Sequence, residues 1–482
     1  MKNKNFIKKE QNRRKSKIPY LDNPRIKKLL FFFFLFLCSY SFAANTGNLD
    51  ISPEKSATYN CSAFNEIFNS AKFNQKIIIP HGQYKISGTI IINNPVMLDG
   101  NGATLTFVNN SSQQGFRVTT SNVSIQNLII NKTTPPSPKF PDHEGILITG
   151  KNAKNYISNI KISGCTLFNW FKAIDTEFVK NFRIINNNIY NCYYAGIAMH
   201  SSLEGLVNKN NIHDITADNK YGSNCYGIQT SKHNGTEEKR PVSKKIIISE
   251  NIIRNIPTWE ALDTHGGTSI SFINNIIENC RIGIMTGSYN VKGEKRGPRR
   301  CTIKGNIIYS DESYIPKKHM SYGIVVHGSM DEKQTGYEIG KDNIVIGNII
   351  SGYGCTAVGL GQTGAIYVYG TKRTKITNNN IIDSGVTGIF VNGDNESLDI
   401  NSNTIEKISK KGAGIYVKHR IYKANSGYIR NNLIHPGKDG NGIHIYDSNQ
   451  NLSLTNNEIT VSGKGKKYIA GPNRSRIKAL KN

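Results

Sequence analysis

Residues 186–200 read NNNIYNCYYAGIAMH, an asparagine run and a short β-forming stretch followed by a second stretch that contains glycine. Asparagine followed by isoleucine or another β-forming residue returns along the chain. The shortest intervals are 23 to 25 residues, and the longer ones contain polar insertions. Self-similarity at a fixed period of this size is typical of a solenoid. The recurring asparagines are Asn188, Asn211, Asn251, Asn275, Asn306, Asn348, Asn380, Asn403, Asn432 and Asn457.

The second half of the repeat is a strand-like phrase that opens with Gly or Ala and an aliphatic residue. Alternation with a single aliphatic face predicts half-buried strands rather than helices. Because a short stacked strand cannot bury its apolar face alone, we expect about twelve coils that close around a shared interior. The phrases, numbered at their first residue, are GILIT (145), AIDTE (173), GIAMH (196), GIQTS (227), ALDTH (261), GIMTG (283), GIVVH (323), AIYVY (365), GIFVN (388), GIYVK (414) and GIHIY (442).

These phrases, together with IIIPHGQYKISGTI at 77–90, resemble the pectin-lyase-like superfamily of right-handed parallel β-helices over about residues 50–460. The resemblance implies an all-β, right-handed parallel β-helix. It also implies that the recurring asparagines form the internal hydrogen-bonded ladder of that superfamily. It does not imply one activity, because the superfamily includes lyases, hydrolases, epimerases and binding tailspikes.

The chain divides into four parts by composition. We expect a signal peptide at 1–44, an N-terminal cap and first strand at 45–80, the β-helix at 81–462 and a basic, solvated tail at 463–482. The cap is predicted from CSAFNEIFNSAKF at 61–73, whose apolar residues recur at helical spacing. An amphipathic helix of this kind would cover the open end of the stack.

The N-terminal segment has the features of a secretory signal. Residues 1–28 contain eleven Lys or Arg and two acids, and an apolar run then ends in Ser41-Phe42-Ala43, a small-x-small cleavage pattern. The run is shorter than the roughly 20 apolar residues that span a bilayer. We therefore expect a secreted, periplasmic or cell-surface protein that meets a membrane only through this segment, if it is left uncleaved.

The basic composition indicates the class of partner. Removal of residues 1–44 lowers Lys+Arg from 61 to 50 and Asp+Glu from 34 to 32, which leaves a formal charge of +18. For an exported protein, this charge favours an anionic polysaccharide over nucleic acid, and we expect a monomer. The seven remaining cysteines contain no CxxC and indicate neither a metal site nor a dense disulfide framework.

The stretch WEALDTHGG at 259–267 places two acids and a histidine on one predicted strand. Strand side chains alternate between faces and neighbouring coils lie about 4.8 Å apart, so the third and fifth residues of each phrase should form outward columns. We therefore expect Asp263 and His265 to be exposed on the outer face and to contribute little burial. His200 and His327 should lie two coils to either side.

The outward Asp-x-His resembles the Asp-Pro-His strand of mannuronan C5-epimerases. The resemblance implies that His265 is the base that removes the C5 proton of a uronate and that Asp263 is its neighbour. Breaking the 4-linked bond would then make the enzyme a lyase, and returning the proton from the opposite face would make it an epimerase. Beside a substrate carboxylate, Asp263 must be protonated or bind Ca²⁺, which is the one cofactor left open.

The match to the epimerase strand covers three residues and has clear departures. Thr264 stands in place of the proline, Gly266 in place of an acidic residue, and Glu260 where that family has a catalytic tyrosine. The proton donor is therefore not identified by the motif. Tyr226 and Tyr322, each just before a neighbouring strand, are the substitutes.

The candidates for substrate binding lie in the outward columns and in long insertions. Insertions at 231–245, 288–300, 310–320 and 329–342 would wall a groove, and three of them are rich in Lys and Arg. Basic insertions either bind an anionic chain or only keep the protein soluble, and column aromatics stack either on sugars or on each other. The candidates are Asp175, Glu177, Gln229, Arg281, Arg296, Arg299, Arg300, Tyr367 and Tyr369.

Two other functions are left open. A glycoside hydrolase requires two carboxyl groups about 5–5.5 Å or 6.5–9.5 Å apart, whereas Asp175 lies three coils, roughly 14 Å, from Asp263. Glu260 and Asp263 are the only close acidic pair, and their odd spacing requires a strand that begins after 260. A non-catalytic, tailspike-like glycan-binding protein requires only the aromatic column and the basic insertions.

Overall fold

A computed structural model describes most of the chain from residue 49 onward. The predicted signal peptide at 1–44 and part of the predicted basic tail lie outside the described residues. Among the described helices, none combines the length and the apolar character that crossing a membrane requires. The residues beyond 48 that are not described are 109–113, 140, 218–223, 292–293, 312–319, 329–338, 355–362, 409–411, 419–423, 447–449, 471–477 and 480–482.

The β-strands form three parallel ladders that run along the stack. Ladder 1 is a fifteen-stranded sheet, and ladders 2 and 3 belong to one 26-stranded sheet. Ladders 2 and 3 are joined because two long strands, Ile252–His265 and Ile276–Gly287, run through both of them. Within each ladder, strands of successive coils pair in parallel.

Ladder 1 comprises Gln75–Ile78, Val96–Asp99, Val123–Gln126, Ile157–Ser163, Val179–Ile185, Leu203–Asn208, Ile247–Ser249, Ser271–Ile273, Thr302–Lys304, Ile344–Ile346, Lys375–Thr377, Leu398–Asn401, Ser426–Arg430, Asn451–Thr455 and Lys478–Ala479. Besides the two long strands, ladder 2 comprises Gln83–Ile86, Thr104–Phe107, Ile129–Lys132, Thr166–Phe168, Asn188–Cys192, Asn211–Ile215, Ile307–Tyr309, Ile349–Ser351, Asn380–Ile382, Thr404–Glu406, Leu433–His435 and Glu458–Ile459. Ladder 3 likewise adds Ile90–Ile92, Phe116–Val118, Glu144–Thr149, Lys172–Glu177, Ala195–His200, Tyr226–Ser231, Tyr322–His327, Ile366–Tyr369, Thr387–Asn392, Ala413–Val417, Asn441–Ile445 and Tyr468–Ala470. Two short pairs lie outside the ladders, Tyr289–Val291 with Glu294–Arg296 and Gly340–Lys341 with Thr371–Lys372.

Each coil visits the three ladders in order and returns to the first. Val179–Ile185, Asn188–Cys192 and Ala195–His200 follow one another, and Leu203–Asn208 then pairs directly with Val179–Ile185. The inward aliphatic side chains of all three ladders form one continuous hydrophobic core, and the six cysteines that the structure describes are all buried and unpaired. The all-β parallel β-helix predicted from the repeats is confirmed.

The stack is longer than the phrases suggest. Ladder 1 has fifteen rungs, against about twelve coils expected from the repeat. The additional strands of ladder 3 are Ile90–Ile92, Phe116–Val118 and Tyr468–Ala470. They lie at the two ends of the stack, outside the series of phrases from which the coils were counted.

An asparagine ladder runs through the turns between ladders 1 and 2. The side-chain amide of Asn187 donates to Oδ1 of Asn210 at 2.9 Å, and that of Asn210 donates to Oδ1 of Asn251 at 2.9 Å. Asn210 also donates to the carbonyl oxygen of Ile184 at 2.9 Å, so each buried amide is satisfied. The ladder continues through Asn275, Asn306, Asn348, Asn379, Asn403, Asn432 and Asn457.

Three of the predicted ladder positions are wrong by one residue. Asn188, Asn211 and Asn380 each begin a ladder 2 strand and are only half-buried. The side chain of a strand's first residue faces outward here, whereas the residue in the preceding turn faces inward. The buried members are therefore the preceding asparagines, Asn187, Asn210 and Asn379.

The N-terminal end of the stack is covered by the predicted amphipathic helix, α1, which spans Ala57–Ser70. Ser56 caps its first turn, because the Ser56 hydroxyl accepts a hydrogen bond from the backbone N–H of Tyr59 at 3.1 Å. Phe64 and Phe68 are fully buried in the same core as the strands. The helix thus shields the apolar interior of the first coil from water.

The ladder predicts a contrast between two neighbouring residues of the same type. Asn210→Ala removes the acceptor of the Asn187 backbone N–H and of the Asn187 side-chain amide, while Asn251 Oδ1 keeps the Asn210 backbone N–H as a donor. The variant should lower the free energy of unfolding by about 2–4 kcal/mol, since each unsatisfied buried group costs about 1–3 kcal/mol. Asn211→Ala, on the half-buried face, should cost clearly less. Denaturant unfolding of both variants measures the difference, and equal losses would contradict a stabilising role for the inner ladder.

Candidate active site

The strand that carries WEALDTH has a local irregularity that decides which way its side chains point. Its pairing with Ile276–Gly287 shifts register between Ile256 and Glu260. Ala261 and Leu262 are both buried in the core, so two consecutive side chains face inward. Glu260 and Asp263 consequently face outward together.

The position of Ala261 is occupied by a small residue in other coils too, because neighbouring coils approach closely there. A Cβ added at Gly227 would come within 2.5 Å of the carbonyl oxygen of Ala261 and 2.8 Å of Ile253 Cγ2. The residue before the small one, such as Tyr226, therefore shares the outer face with the third residue of the phrase. The expectation that a Glu260–Asp263 pair requires a strand beginning after 260 is wrong, since the strand spans Ile252–His265 and bends within itself.

Glu260, Asp263 and His265 form a compact cluster. One donor atom from each residue lies within 4.8 Å of the others. His265 Nε2 is 3.2 Å from Asp263 Oδ2. Both oxygens of Glu260 and both oxygens of Asp263 are buried without a hydrogen bond of ordinary geometry.

The expected exposure of this cluster is wrong for the two acids. Glu260 and Asp263 are 0% exposed, whereas the His265 side chain is 25% exposed. The two acids face away from the core, but Trp259 and Tyr226 pack over the outer face beside them. The Arg281 guanidinium in turn lies 4.8 Å from the Trp259 ring centroid. Outward orientation and solvent exposure are therefore separate properties in this coil.

Burial controls the protonation of the cluster. Burial raises the pKa of Glu260 to about 8, and Arg281 opposes this shift. Burial, together with the charge of Glu260, raises the pKa of Asp263 well above its ordinary value. Burial also lowers the pKa of His265 to about 4. Asp263 and His265 are consequently close neighbours that do not form an ion pair at neutral pH.

A cleft of about 550 Å³ lies on the outer face beside this cluster. The strand Tyr226–Ser231 and the insertion that follows it supply much of its lining. The insertion at 288–300 contributes Ser288 and Tyr289, while the insertions at 310–320 and 329–342 lie mostly outside the described residues. Its polar lining includes Lys172, His200, Gln229, Lys232, His233 and His265.

A second charged cluster lies at the other end of the cleft. Lys172 Nζ is 2.5 Å from Asp175 Oδ2 and 3.3 Å from Glu144 Oε1. Burial and then the Asp175 charge raise the pKa of Glu144 to about 7, although Lys172 opposes the shift. Burial acts to raise the pKa of Asp175 as well, but Lys172 and His200 outweigh it and hold that pKa low.

His200 is held between this cluster and the cleft. Its Nδ1 is 3.0 Å from Ser231 Oγ and its Nε2 is 3.5 Å from Asp175 Oδ1. The His233 ring stacks on it with centroids 3.9 Å apart. Burial lowers the pKa of His200 to about 3, against the opposing charge of Asp175, and burial also lowers the pKa of His233. Both imidazoles are therefore neutral at physiological pH.

The remaining predicted residues divide between the cleft and other surroundings. Gln229 lines the cleft, and Glu177 pairs with Arg240 of the adjacent insertion. His327 stacks on Tyr369 with ring centroids 4.6 Å apart and is not part of the lining. Tyr367 stacks on Phe390 at 5.0 Å. These contacts favour cross-strand stacking over a sugar-binding track.

None of the four predicted arginines is among the residues that line the cleft. Arg281 is buried, with Nη1 donating to the Thr258 carbonyl oxygen at 3.1 Å. Arg299 pairs through its backbone with Thr268 in line with ladder 1, and the exposed Arg300 follows it. That these arginines bind substrate stays a prediction; at Arg299 the insertion at 288–300 has already returned to ladder 1. Arg296 lies 3.6 Å from Glu237.

Several residues in the cleft or beside it were missed by sequence reasoning. Glu144 and Lys172 stand one residue before the small residue of their phrase, a position that regular alternation assigns to the interior. Knowing that the residue before the small one faces outward would have identified both Glu144 and Lys172. Lys232 and His233 belong to an insertion, where no repeat pattern predicts orientation.

Comparisons with known proteins support the fold. The family described as "Right handed beta helix region" matches residues 265–478, and no curated protein matches the sequence. The catalytic unit of a GH87 alpha-1,3-glucanase from Streptomyces thermodiastaticus superposes with a TM-score of 0.53, 14% identity, and coverage of 86% of this chain and 68% of that one. The catalytic domain of a GH87 alpha-1,3-glucanase in complex with nigerose gives a TM-score of 0.50, 15% identity, and coverage of 89% and 68%.

The A-module of the mannuronan C-5 epimerase AlgE6 of Azotobacter vinelandii is also similar to this chain. That module gives a TM-score of 0.46, 10% identity, and coverage of 86% of this chain and 95% of that one. At these identities the likeness concerns the fold alone. The chain is a right-handed parallel β-helix, as its repeats predicted.

The Lys172 cluster predicts a pH-dependent loss of stability. Lys172→Met leaves two buried carboxyl groups without their cation and should lower the free energy of unfolding at pH 8 by about 3–5 kcal/mol. The loss should be smaller at pH 5. At pH 5 Glu144 is neutral, because its pKa is raised to about 7 in the folded protein. As the pH rises toward and through 7, Glu144 ionises in its buried site and its contribution to the free energy of unfolding is lost.

The matched control is Lys245→Met, which removes an exposed pair with Glu204 at 3.1 Å and should barely change stability at either pH. Unfolding curves at pH 5 and pH 8 test both variants. A loss for Lys172→Met that is equal at the two pH values would contradict the assigned cluster.

Proposed function

We propose that the protein is a polysaccharide-active enzyme whose reaction takes place in the cleft between the Lys172 cluster and His265. The observation that carries this proposal is the combination of neutral imidazoles, buried carboxyl groups and amines around one cavity of about 550 Å³. Perturbed titratable groups concentrated in a cleft are a feature of catalytic sites. The cleft lies across several coils, so a linear chain of sugars can cross it.

The proposed substrate is an anionic, uronate-containing glycan. Lys172 and Lys232 both belong to the lining, and the chain beyond residue 44 carries a formal charge of +18. Both amines already have protein partners, so a sugar carboxylate would join these charge networks and be partly neutralised there. Neutralisation of that group is the main requirement for acidifying the adjacent C5–H bond.

The proposed chemistry is removal of the C5 proton by the imidazole of His233, whose ring stacks on that of His200. His233 is the more exposed of the two, while Asp175 lies behind His200 and favours its protonated form. The C–H electron pair would move into the substrate carboxyl group as an enediolate. The pair would then either form the C4=C5 double bond as the 4-linked oxygen leaves with the proton held by the imidazole, as in a lyase, or take a proton at C5 on the opposite face from a second acid, as in an epimerase.

A glycoside hydrolase is the second candidate. Donor atoms of Glu260 and Asp263 lie within 4.8 Å, close to the separation of about 5–5.5 Å between the carboxyl groups of retaining enzymes. Solved structures with a similar fold include alpha-1,3-glucanases. Against this candidate, both acids are 0% exposed, so a sugar could reach them only after Trp259 and Tyr226 moved.

One panel of substrates separates these candidates. The protein is incubated with alginate, pectate, a glycosaminoglycan, an α-1,3-glucan and other neutral glycans. Absorbance at about 235 nm detects the unsaturated product of a lyase, NMR in deuterated water detects C5 exchange and epimerisation, and reducing-end release without absorbance indicates hydrolysis. Retained binding without any product would instead favour a glycan-binding protein.

Substitution of the imidazoles tests the proposed base. On a substrate that the protein converts, His233→Gln should lower kcat by about 10²–10⁴, the usual contribution of a general base. His200→Gln should also lower kcat, and its thermal midpoint is measured beside it because His200 is buried and contacts Ser231. His444→Gln, in the same outward face but far along the stack, is the control. Full activity of His233→Gln would place the base elsewhere.

The proposed location is outside the cytoplasm. The basic segment, the apolar run and Ser41-Phe42-Ala43 support export. Sequencing the N-terminus of protein recovered outside the cytoplasm should give Ala44 or a close neighbour. Recovered protein that begins at Met1 would mean that the segment is not removed.

A further inference from the structure

The carboxyl groups of Glu260 and Asp263 interact with each other, with Trp259 and with the Thr264 backbone, and His265 Nε2 lies 3.2 Å from Asp263 Oδ2. The four carboxylate oxygens of Glu260 and Asp263 are buried and make no hydrogen bond of ordinary geometry. Buried polar atoms in folded proteins are nearly always hydrogen-bonded, so four that make no such bond in one place require an explanation. One donor atom from each residue lies within 4.8 Å of the others, a spacing that a single ion can bridge.

The electrostatics of the cluster leave a deficit of positive charge. Ionised, the two acids would place two negative charges in a site with 0% exposure. Arg281 acts on Glu260, but its Nη1 donates to the Thr258 carbonyl oxygen at 3.1 Å and its Nε to that of Met320 at 3.2 Å. Buried charges of this kind are stabilised by pairing or by metal coordination.

We infer that Glu260, Asp263 and His265 bind one divalent transition-metal ion, of which Zn²⁺ and Mn²⁺ are the best representatives. Two carboxylates and one imidazole form a mixed oxygen and nitrogen donor set. Imidazole suits Zn²⁺ and its neighbours, whereas Ca²⁺ takes oxygen ligands. The ion considered from the sequence, Ca²⁺, therefore fits this donor set less well.

The surroundings of His265 match those of a metal ligand. Its Nε2 points toward Asp263 Oδ2 at 3.2 Å, and the ring also hydrogen-bonds the backbone of Ser288. A ligating histidine is usually held by such a second contact, which fixes the orientation of the ring. The bend at Ala261 places Glu260 on the same face, so all three ligands come from six consecutive residues of one strand.

The position of the proposed metal site beside the cleft indicates how a bound ion could be used. Three protein ligands leave at least one coordination position open, as in catalytic metal centres. His265 is both a ligand and part of the cleft lining, so the open position would face the cleft and could accept a carboxylate or hydroxyl oxygen of a glycan. This use of the ion rests on the proposed function, whereas metal binding itself is independent of it and is tested without substrate.

Metal binding is measured on the full chain as it is exported, after removal of bound ions with a chelator. Titration with Zn²⁺ and with Mn²⁺ should show one site per chain and a rise in the thermal midpoint, because an ion that binds only the folded state stabilises it. Ca²⁺ at the same concentrations should give a smaller rise. Co²⁺ should give a visible absorption spectrum typical of nitrogen and oxygen ligands.

Conservative variants assign the site. Glu260→Gln and Asp263→Asn keep the side-chain shape, remove a buried charge and should still fold. Each should weaken metal binding by about 100-fold or more, since losing even a group that only supports a ligand costs about 10- to 100-fold. His200→Gln, whose imidazole lies two rungs away, should bind the ion like the wild type.

The rival explanation is a proton shared between the two carboxyl groups. It predicts no stoichiometric metal in the wild type and no difference between the wild type and the variants on adding Zn²⁺ or Mn²⁺. Either result would overturn the metal site. Metal binding without activity on any glycan of the panel would instead leave the site in place and count against the proposed function.

Discussion

The structure depends on the hydrogen bonds of the buried asparagine ladder. Asn187 and Asn210 are 23 residues apart and Asn210 and Asn251 are 41 apart, yet both amide-to-carbonyl bonds are 2.9 Å long. Insertions therefore lengthen the turns without changing the register of the strands. Because the ladder holds the coils in line, the insertions between strands are free to vary, and the cleft is built from ladder 3 strands together with two of these insertions.

The parallel register of the strands also determines which side chains are neighbours on the outer face. Asp175, Gln229 and Asp263 come from different coils, but parallel pairing places them in one column of ladder 3. The inward small residue adds a further column, because its predecessor turns outward in each coil. Lys172 and Glu260 occupy that column, and both contribute charged groups to the clusters beside the cleft.

Burial then changes the chemistry of these columns. On an open surface, Asp263 and His265 would be charged and solvated. Beneath Trp259 and Tyr226, the carboxyl groups of Glu260 and Asp263 become hard to ionise and the imidazole of His265 becomes hard to protonate. The protein thereby keeps buried donor atoms at the edge of a cleft, which is the arrangement from which both the proposed reaction and the proposed metal site follow.

The sequence by itself determined the parallel β-helix, the amphipathic cap and the strand that carries Asp263 and His265, because each rests on a short period that any stacked coil must repeat. It located the asparagine ladder within one residue, and the error arose where the chain leaves a turn and enters a strand. Only the tertiary structure decided that Glu260 joins Asp263, that both are buried, and that Lys172 and His233 complete the cleft. Those features depend on a bend within the strand and on how aperiodic insertions fold back over it, and neither leaves a repeating pattern in the sequence.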